Sequence, residues 1–162
     1  MSVRTGWSKN KDDWKRLSQC IEENEIKWKK NKFSAQTLNI FPDRPGVYMF
    51  CTTPPKEAIC KSGLNVFLTP LYVGKSADGL KNRLRQHYKN PQPSIKEVFD
   101  IFSSNLIVIY AECDVSILSE LEDSLIIAFG PITNRNHAMS VRTRGEIKAK
   151  LDESNKITII GG

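Results

Sequence analysis

Three polar side chains fall where two predicted helices should carry apolar ones. At about 100° per residue, Glu122 lies inside the apolar stripe of its helix, and Arg83 and His87 lie on the packing face of a shorter helix. A carboxylate turned into the protein is costly unless it is paired with a cation or holds one. The pattern leaves two interpretations open: a buried Arg83–Glu122 ion pair with His87 beside it, or a functional site built from these groups.

The stretch Gly74-Lys75-Ser76 is a candidate phosphate-binding loop, because it follows an apolar, β-prone run and precedes a basic segment. A P-loop needs an earlier glycine so that successive backbone N–H groups can surround the phosphates, and Thr69 occupies that position. Pro70 also removes a backbone donor from the segment. We conclude that the stretch is not a P-loop and needs another interpretation.

The elements that must position these side chains predict a small α+β domain. Strands at 46–53 and 65–75, joined by a polar connection, predict an antiparallel hairpin, and 105–113 predicts a third, buried strand. Ser94 is expected to cap a helix, with Glu97 at the capping-box position. Asp114 or Ser116 is expected to cap the helix that Gly130 ends. The predicted helices are Asp12–Lys30, 79–89, 94–105, 114–130 and 145–153, and a short strand or tail follows at 157–162.

Length and charge bound the class of protein. A chain of 162 residues is long enough for one domain with a real core. The formal net charge of +6 and the pI near 9.2 favour a polyanionic partner, because Lys and Arg displace the counterions of nucleic acids. Part of this charge, at Lys27, Lys29 and Lys30, is expected at the end of the first helix, where it suits the helix dipole.

Cysteine spacing and hydropathy exclude other classes. Four cysteines without a C-x-x-C spacing, and only two histidines, argue against a structural zinc site and favour reduced, mostly buried thiols. No apolar run approaches the length of a membrane span, and the N-terminal residues lack the apolar core of a signal peptide. We therefore expect a cytoplasmic protein without a membrane partner.

An ordered set of short motifs resembles the GIY-YIG nuclease domain, which occurs in homing endonucleases, some restriction enzymes and the incision subunit of bacterial nucleotide excision repair. Single tripeptides carry little information, whereas the ordered set is specific. It spans about residues 46–136, a little over half the chain. Its members are Gly46-Val47-Tyr48, Tyr72-Val73-Gly74, Arg83 with His87 one turn later, Glu122, and Asn134 after a proline.

The resemblance implies a three-stranded antiparallel sheet between helices, in agreement with the predicted elements. We divide the chain into an N-terminal helical extension at 1–44, a nuclease core at 45–137, and a C-terminal helix and tail at 138–162 packed on the core. The family joins its two tripeptides by a short hairpin loop, whereas this chain has a longer connection at 51–70, as some restriction-type members do. We treat it as a variable loop, and the register of the second strand depends on it.

The resemblance also implies a mechanism of phosphodiester hydrolysis. Glu122 would hold one Mg²⁺ or Mn²⁺, since no second acidic residue lies on its face. Arg83 would contact the scissile phosphate. Tyr48 or Tyr72 would orient or deprotonate the attacking water with the help of His87, which requires a lowered phenol pKa. The residues do not decide between the two tyrosines, and the resemblance favours Tyr48 as base and Tyr72 as a hydroxyl that positions the phosphate.

Three further residues are assigned to substrate binding by the same resemblance. Gly74 would allow close approach of the backbone to the substrate, and Lys75 would lie near a phosphate. Asn134 would be a structural or phosphate-contacting amide. The expected partner is DNA, with specificity that comes from loops, from dimerisation of two copies, or is low.

Two alternatives differ in class from a nuclease. The first is a non-catalytic nucleic-acid-binding module that keeps the GIY-YIG fold. The second is a protein-interaction domain that uses the N-terminal helix with Trp7, Trp14 and Trp28, although these tryptophans are expected to dock on the core. Restriction, mobile-element and single-strand cleavage roles all remain open.

Overall fold

A computed structural model describes residues 6–53, 68–102 and 105–134. These residues form a four-stranded antiparallel sheet with helices on both faces, and the strand order is β1-β4-β2-β3. The predicted last helix and strand, most of the long connection at 51–70, and the predicted boundary at 137 lie outside the described residues. The elements are α1 (Lys11–Glu23), β1 (Lys29–Lys32), β2 (Gly46–Thr52), β3 (Thr69–Ser76), α2 (Leu80–Lys89), α3 (Pro93–Phe102), β4 (Leu106–Glu112) and α4 (Leu118–Phe129).

The α+β class and the antiparallel sheet are confirmed, but the sheet has four strands rather than three. The additional strand, β1, pairs with β4, with Lys29 opposite Tyr110 and Lys32 opposite Ile107. The predicted helix to Lys30 is therefore wrong, because α1 ends at Glu23. Two of the lysines that were expected to interact with the helix dipole, Lys29 and Lys30, lie instead on the edge strand β1. Exposed charge on an edge strand discourages pairing with another chain.

The hairpin of β2 and β3 is the central prediction that the structure confirms. Tyr48 lies opposite Gly74, and Phe50 lies opposite Tyr72. The register shifts between Phe50 and Cys51, so a bulge lies on the side of the hairpin that leads to the long connection. All seven residues of β2 are buried, because β2 lies between β3 and β4 and both of its faces are covered.

Side chains of β2 alternate between two apolar cores, as the period of a strand requires. Val47, Met49 and Cys51 belong to the core that α1 and α4 cover. Tyr48 and Phe50 belong to the core that α2 and α3 cover. The two faces of the hairpin therefore present different side chains to different pairs of helices.

Both ends of α4 follow the sequence signals, whereas the start of α3 does not. Asp114 accepts a bond from the backbone N–H of Ser116 in the 3₁₀ turn that leads into α4, and Gly130 closes α4 at a φ of 54°. The predicted cap at Ser94 is wrong, because α3 already begins at Pro93 and the carbonyl of Gln92 accepts the first helical bonds. Proline suits the first helical position, since it has no N–H to leave unpaired.

The parts of the chain assigned to an extension and a core are in contact. α1 packs against α4 through Leu17 and Cys20, and β1 is part of the sheet. The division at residue 44 stays a prediction. Among the described residues, no helix combines the length and apolar character needed to cross a bilayer.

Candidate active site

The hairpin and α2 bring three of the predicted site residues together on one face of the sheet. Tyr48 and Tyr72 are diagonal neighbours on β2 and β3, and His87 reaches them from α2. The ring centroid of His87 lies 5.5 Å from that of Tyr48 and 5.7 Å from that of Tyr72, and the centroids of the two tyrosine rings are 6.2 Å apart. We call Tyr48, Tyr72 and His87 the aromatic cluster.

A short hydrogen bond joins two members of this cluster. The hydroxyl of Tyr48 lies 2.6 Å from Nε2 of His87, and both side chains are buried. Burial, assisted by the positive charge of Arg83, lowers the pKa of His87 to about 4, so the imidazole is neutral near pH 7. Burial and the neighbouring Tyr72 raise the pKa of Tyr48, so the phenol keeps its proton. We therefore assign Tyr48 as the donor and Nε2 of His87 as the acceptor.

The same pKa shifts correct one sequence-based expectation. Catalysis by a tyrosine base was expected to require a lowered phenol pKa, but burial raises the pKa of Tyr72 as well as that of Tyr48. Low-dielectric surroundings disfavour a phenolate more than the nearby Arg83 favours it. A chemical role for these tyrosines must begin from the neutral phenols.

Gly74 makes room for the cluster. A β-carbon at this position would collide with the ring carbon that bears the Tyr48 hydroxyl and with the hydroxyl itself. The phenol end of Tyr48 therefore lies directly against the backbone of β3, which any larger residue would prevent. This packing role accounts for a glycine here, and its role in substrate approach stays a prediction.

Arg83 lies on α2, one turn before His87, and is half-buried. Its Nη1 donates to Oε1 of Gln86 at 3.3 Å. Its charge acts on the pKa of Tyr48, Tyr72 and His87, so the guanidinium lies close to the whole aromatic cluster. Arg83 and His87 also line a cavity of about 640 Å³ on the outer side of α2.

Glu122 is buried, as the helical phase predicted, with 8% of its surface exposed. Its partner is not Arg83, since no Arg83–Glu122 ion pair forms among the described residues. Instead, Nζ of Lys75 lies 2.9 Å from Oε2 of Glu122 and donates to Oγ of Ser119 at 3.0 Å. Of the two interpretations that the sequence leaves open, the one with an Arg83–Glu122 pair is therefore not the one observed. Lys75 reaches Glu122 because it points to the α4 face of β3, opposite to Tyr72.

The carboxylate of Glu122 is incompletely satisfied. Within the described part of the chain, its buried Oε2 has no hydrogen-bond partner, although the ammonium of Lys75 is close enough for an ion pair. We take the contact as an ion pair whose angle is unsuited to a hydrogen bond. The charge of Glu122 contributes to the raised pKa of Tyr72, after burial, so the carboxylate and the aromatic cluster act on each other across β3.

The donor set suits a hard cation with few protein ligands. No group of three or more His, Cys, Asp and Glu side chains able to hold a metal occurs in the described ranges, so a site at Glu122 would have at most two such ligands from them. Mg²⁺ accepts such sites, because it prefers oxygen, keeps several waters and shares ligands with substrate phosphates. An orphaned carboxylate oxygen fits that chemistry.

Asn134 holds the free edge of β3. Its Oδ1 accepts from the backbone N–H of Val73 at 2.7 Å, and its Nδ2 donates to the carbonyl of Val73 at 2.9 Å. The hydroxyl of Thr133 donates to the carbonyl of Leu71 next to it. Both ends of the Asn134 amide are thus engaged by backbone, which favours the structural alternative over contact with a phosphate. Asn134 fixes Tyr72 and Gly74, the neighbours of Val73.

Two features of the site were missed by reasoning from the sequence. One is the pairing of Lys75 with Glu122, and the other is the polar cavity on the outer side of α2. A signal for the cavity exists in the run from Asn82 to Gln92, which is rich in amides and cations and has no acidic residue. Nothing local in the sequence indicates the pairing of Lys75.

Comparison with known proteins finds similar solved structures. One is the GIY-YIG N-terminal endonuclease domain of UvrC from Thermotoga maritima, bound to its catalytic divalent cation, magnesium. It is 22% identical over 61% of this chain and 92% of that chain, with a TM-score of 0.45. A point mutant of the same domain, also bound to its catalytic divalent cation, is 21% identical over 60% of this chain and 90% of that one, with a TM-score of 0.44.

The likeness is distant and concerns the fold alone. No protein-family model matches the sequence, and no curated protein matches it. The antiparallel sheet between helices that the motif resemblance implies is the architecture observed in the described residues.

Proposed function

We propose that this chain is a metal-dependent DNA endonuclease that hydrolyses phosphodiester bonds. The observation that carries the proposal is the buried, incompletely satisfied carboxylate of Glu122, whose charge acts on Tyr72, a member of the aromatic cluster. Arg83 adds a cation whose charge acts on all three members of the cluster. The net charge of +6 supports a polyanionic substrate.

Glu122 would hold one Mg²⁺ or Mn²⁺ through its orphaned oxygen. When bound, the ion supplies positive charge for a phosphate oxygen and the departing 3′ oxygen. Lys75 contacts the same carboxylate oxygen, so its ammonium would have to move for that oxygen to bind a cation. The displaced ammonium would remain on the α4 face of β3, beside Ser119.

Arg83 would bind the scissile phosphate. A guanidinium carries five N–H donors in a planar fork, so its bond to Gln86 leaves donors for phosphate oxygens. Tyr72 is half-buried, and the charges of both Arg83 and Glu122 act on its pKa. Its hydroxyl would position the same phosphate. Tyr48 is fully buried and is the less accessible of the two phenols.

Tyr48 and His87 would handle the proton of the attacking water. The Tyr48 oxygen would accept that proton while its own O–H proton passes to Nε2 of His87, which leaves an imidazolium and a neutral phenol. No free phenolate forms, in keeping with the raised pKa of Tyr48. An arriving phosphate would also offset the charge of Arg83, one of the two causes that lower the pKa of His87.

The second candidate is a non-catalytic DNA-binding module with the same fold. The observation that favours it is the Lys75–Glu122 pair, which neutralises the carboxylate without a metal. In such a protein Lys75 and Glu122 would be a structural link between β3 and α4. The two candidates differ in whether a divalent ion can displace the ammonium.

Cleavage of supercoiled plasmid and of single-stranded DNA, with Mg²⁺ or with EDTA, separates the candidates. We expect cutting only with Mg²⁺, and a loss of at least about 100-fold in Glu122→Gln, because the variant lacks the ligand charge but keeps the side-chain shape. Glu120→Gln, on the same helix but exposed, is the matched control and should cut normally. Mg²⁺-dependent cutting that survives in Glu122→Gln would refute the metal assignment, and binding without any cutting by the wild type would favour the module.

A further inference from the structure

The cavity on the outer side of α2 has a role that the candidate site leaves unexplained. It has a volume of about 640 Å³, within the roughly 300–1,000 Å³ range of ligand sites. Besides Arg83 and His87, it is lined by two cations, Arg85 and Lys89, and by the amides of Asn82, Gln86, Asn90 and Gln92. We call it the α2 groove.

The lining of the α2 groove selects for a phosphate-bearing ligand. Three of its side chains are cations, four are amides, and none is a carboxylate. The imidazole of His87 is neutral near pH 7, so the net charge of the lining is about +3. A different cavity, beside α3, is lined by Leu71, Val98 and Phe102 and lacks this character. The chemistry of the α2 groove therefore excludes cations and apolar ligands.

Two of the three cations of the groove, Arg83 and Arg85, are anchored by hydrogen bonds. Nη2 of Arg85 donates to Oδ1 of Asn39, in the segment between β1 and β2. Arg83 is similarly bonded to Gln86 along the helix. Each guanidinium keeps further donors beyond these bonds, and anchoring reduces the entropy lost when a ligand binds. This arrangement suits a strand that must be held in one position relative to the site.

The length of the groove matches a few nucleotides. Arg83 and Lys89 are six residues apart on α2, which corresponds to about 9 Å along the helix axis. A duplex rises about 3.4 Å per nucleotide along its axis, so this distance corresponds to about two to three nucleotides of a duplex whose axis runs parallel to α2. Arg83 stands at the end that the groove shares with the aromatic cluster.

We propose that the α2 groove binds the sugar–phosphate backbone of the two or three nucleotides that flank the scissile phosphate. The position of the scissile phosphate at Arg83 rests on the proposed nuclease function. Arg85 and Lys89 neutralise the flanking phosphates, and the amides bond sugars and phosphate oxygens. The groove thus sets which stretch of a bound strand reaches Tyr72 and Glu122.

The test measures binding without cleavage. A fluorescein-labelled 20-nucleotide strand and its duplex are titrated with protein in EDTA, at several salt concentrations, and anisotropy gives the dissociation constant. We expect Arg85→Gln with Lys89→Gln to weaken binding at least ten-fold near 0.1 M salt. The slope of log K against log salt should fall by about 1.4 to 1.8, since each of the two lost phosphate contacts removes about 0.7–0.9.

The matched control removes the same charges from the opposite face of the protein. Lys15→Gln with Arg16→Gln, both exposed on α1, should change affinity less than two-fold. Lys89→Gln alone, at the exposed last position of α2, keeps the Arg85–Asn39 bond, so any loss of affinity in this variant does not come from breaking that bond. Thermal unfolding checks that each variant folds. The proposal is overturned if the α2 variants bind like the α1 control, or if the wild type binds neither probe.

The two proposals fail in different ways. A wild type that binds DNA through Arg85 and Lys89 but never cuts with Mg²⁺ would refute the nuclease proposal and support the proposal for the α2 groove. A wild type that cuts DNA while the α2 variants bind with unchanged affinity and salt slope would refute the proposal for the α2 groove and support the nuclease proposal.

Discussion

The two faces of the β2–β3 hairpin differ in charge: one carries neutral aromatic side chains and the other carries an ion pair. On the α2 face, Tyr48 and His87 are buried and Tyr72 is half-buried, and all three are close-packed and neutral near pH 7. On the α4 face, Glu122 and Lys75 form an ion pair with one incompletely satisfied oxygen. β3 joins the two, because its alternate residues point to alternate faces.

The difference separates two tasks that a hydrolytic site must perform. A neutral phenol bonded to a neutral imidazole can pass a proton inward without an ion being buried beforehand. A buried carboxylate beside an ammonium keeps its negative charge compensated until another cation replaces the ammonium. In the proposed nuclease, proton transfer would fall to the α2 face and metal binding to the α4 face.

The largest expected effect comes from removing the hydroxyl of Tyr48 from the α2 face. Tyr48→Phe removes the hydroxyl that joins the water to His87, so we expect DNA cleavage to fall by about 10²–10⁴-fold, the usual range for general acid–base groups. The measurement is the single-turnover cleavage rate with Mg²⁺. Tyr110→Phe, at another buried tyrosine of the same sheet, whose hydroxyl accepts from Asn31, is the control and should retain activity. Equal losses in both variants would show a packing effect rather than a chemical one.

A smaller effect is expected from the dependence of stability on pH. The folded pKa of His87, about 4, lies below its ordinary 6.5, so the unfolded state binds the proton first as the pH falls. The stability that neutral His87 contributes is present above pH 6.5 and is lost as the pH falls towards 4, by up to about 3 kcal/mol. Urea unfolding at pH 7.5 and 4.5 should show this loss in the wild type.

His87→Asn provides the comparison for that measurement, because its side chain does not titrate in this range. The variant should lose less stability between the two pH values than the wild type does. Equal losses would mean that His87 is protonated with an ordinary pKa, and the neutral description of the α2 face would then fail.

The smallest expected effect is on the charged face. Lys75→Gln removes the ammonium that competes for Glu122, so Mn²⁺ should bind about five-fold more tightly, the equivalent of about 1 kcal/mol for a partly exposed ion pair. Binding is followed by the loss of the free Mn²⁺ signal in electron paramagnetic resonance, without DNA. Lys81→Gln removes a lysine paired with Asp43 and should leave Mn²⁺ affinity unchanged. Weaker binding in Lys75→Gln would mean that Lys75 supports the metal site.

The parts of the site that depend on local periodicity could be predicted from the sequence. Helical phase alone placed Glu122 and His87 on buried faces, and both are buried. The hairpin and the end of α4 at Gly130 followed from turn chemistry and β-prone runs. These features are decided by residues that are near one another in the chain.

The parts that depend on distant residues could not be predicted in this way. Lys75 meets Glu122, and Asn134 meets Val73, only because α4 and the turn after it pack along β3. β1 is a strand because β4 pairs with it, although its lysines suit a helix end equally well. The raised pKa of Tyr48 reflects burial among rings from three elements, which residue type does not reveal.

The most direct test of the account is the position of manganese in a crystal grown or soaked with Mn²⁺, located by its anomalous scattering. We predict a single peak within about 2.2 Å of a carboxylate oxygen of Glu122, on the side towards Tyr72, with the ammonium of Lys75 moved off the carboxylate. A crystal at saturating Mn²⁺ in which Lys75 still contacts Glu122 and no peak lies beside it would contradict the assignment of Glu122 as the metal ligand.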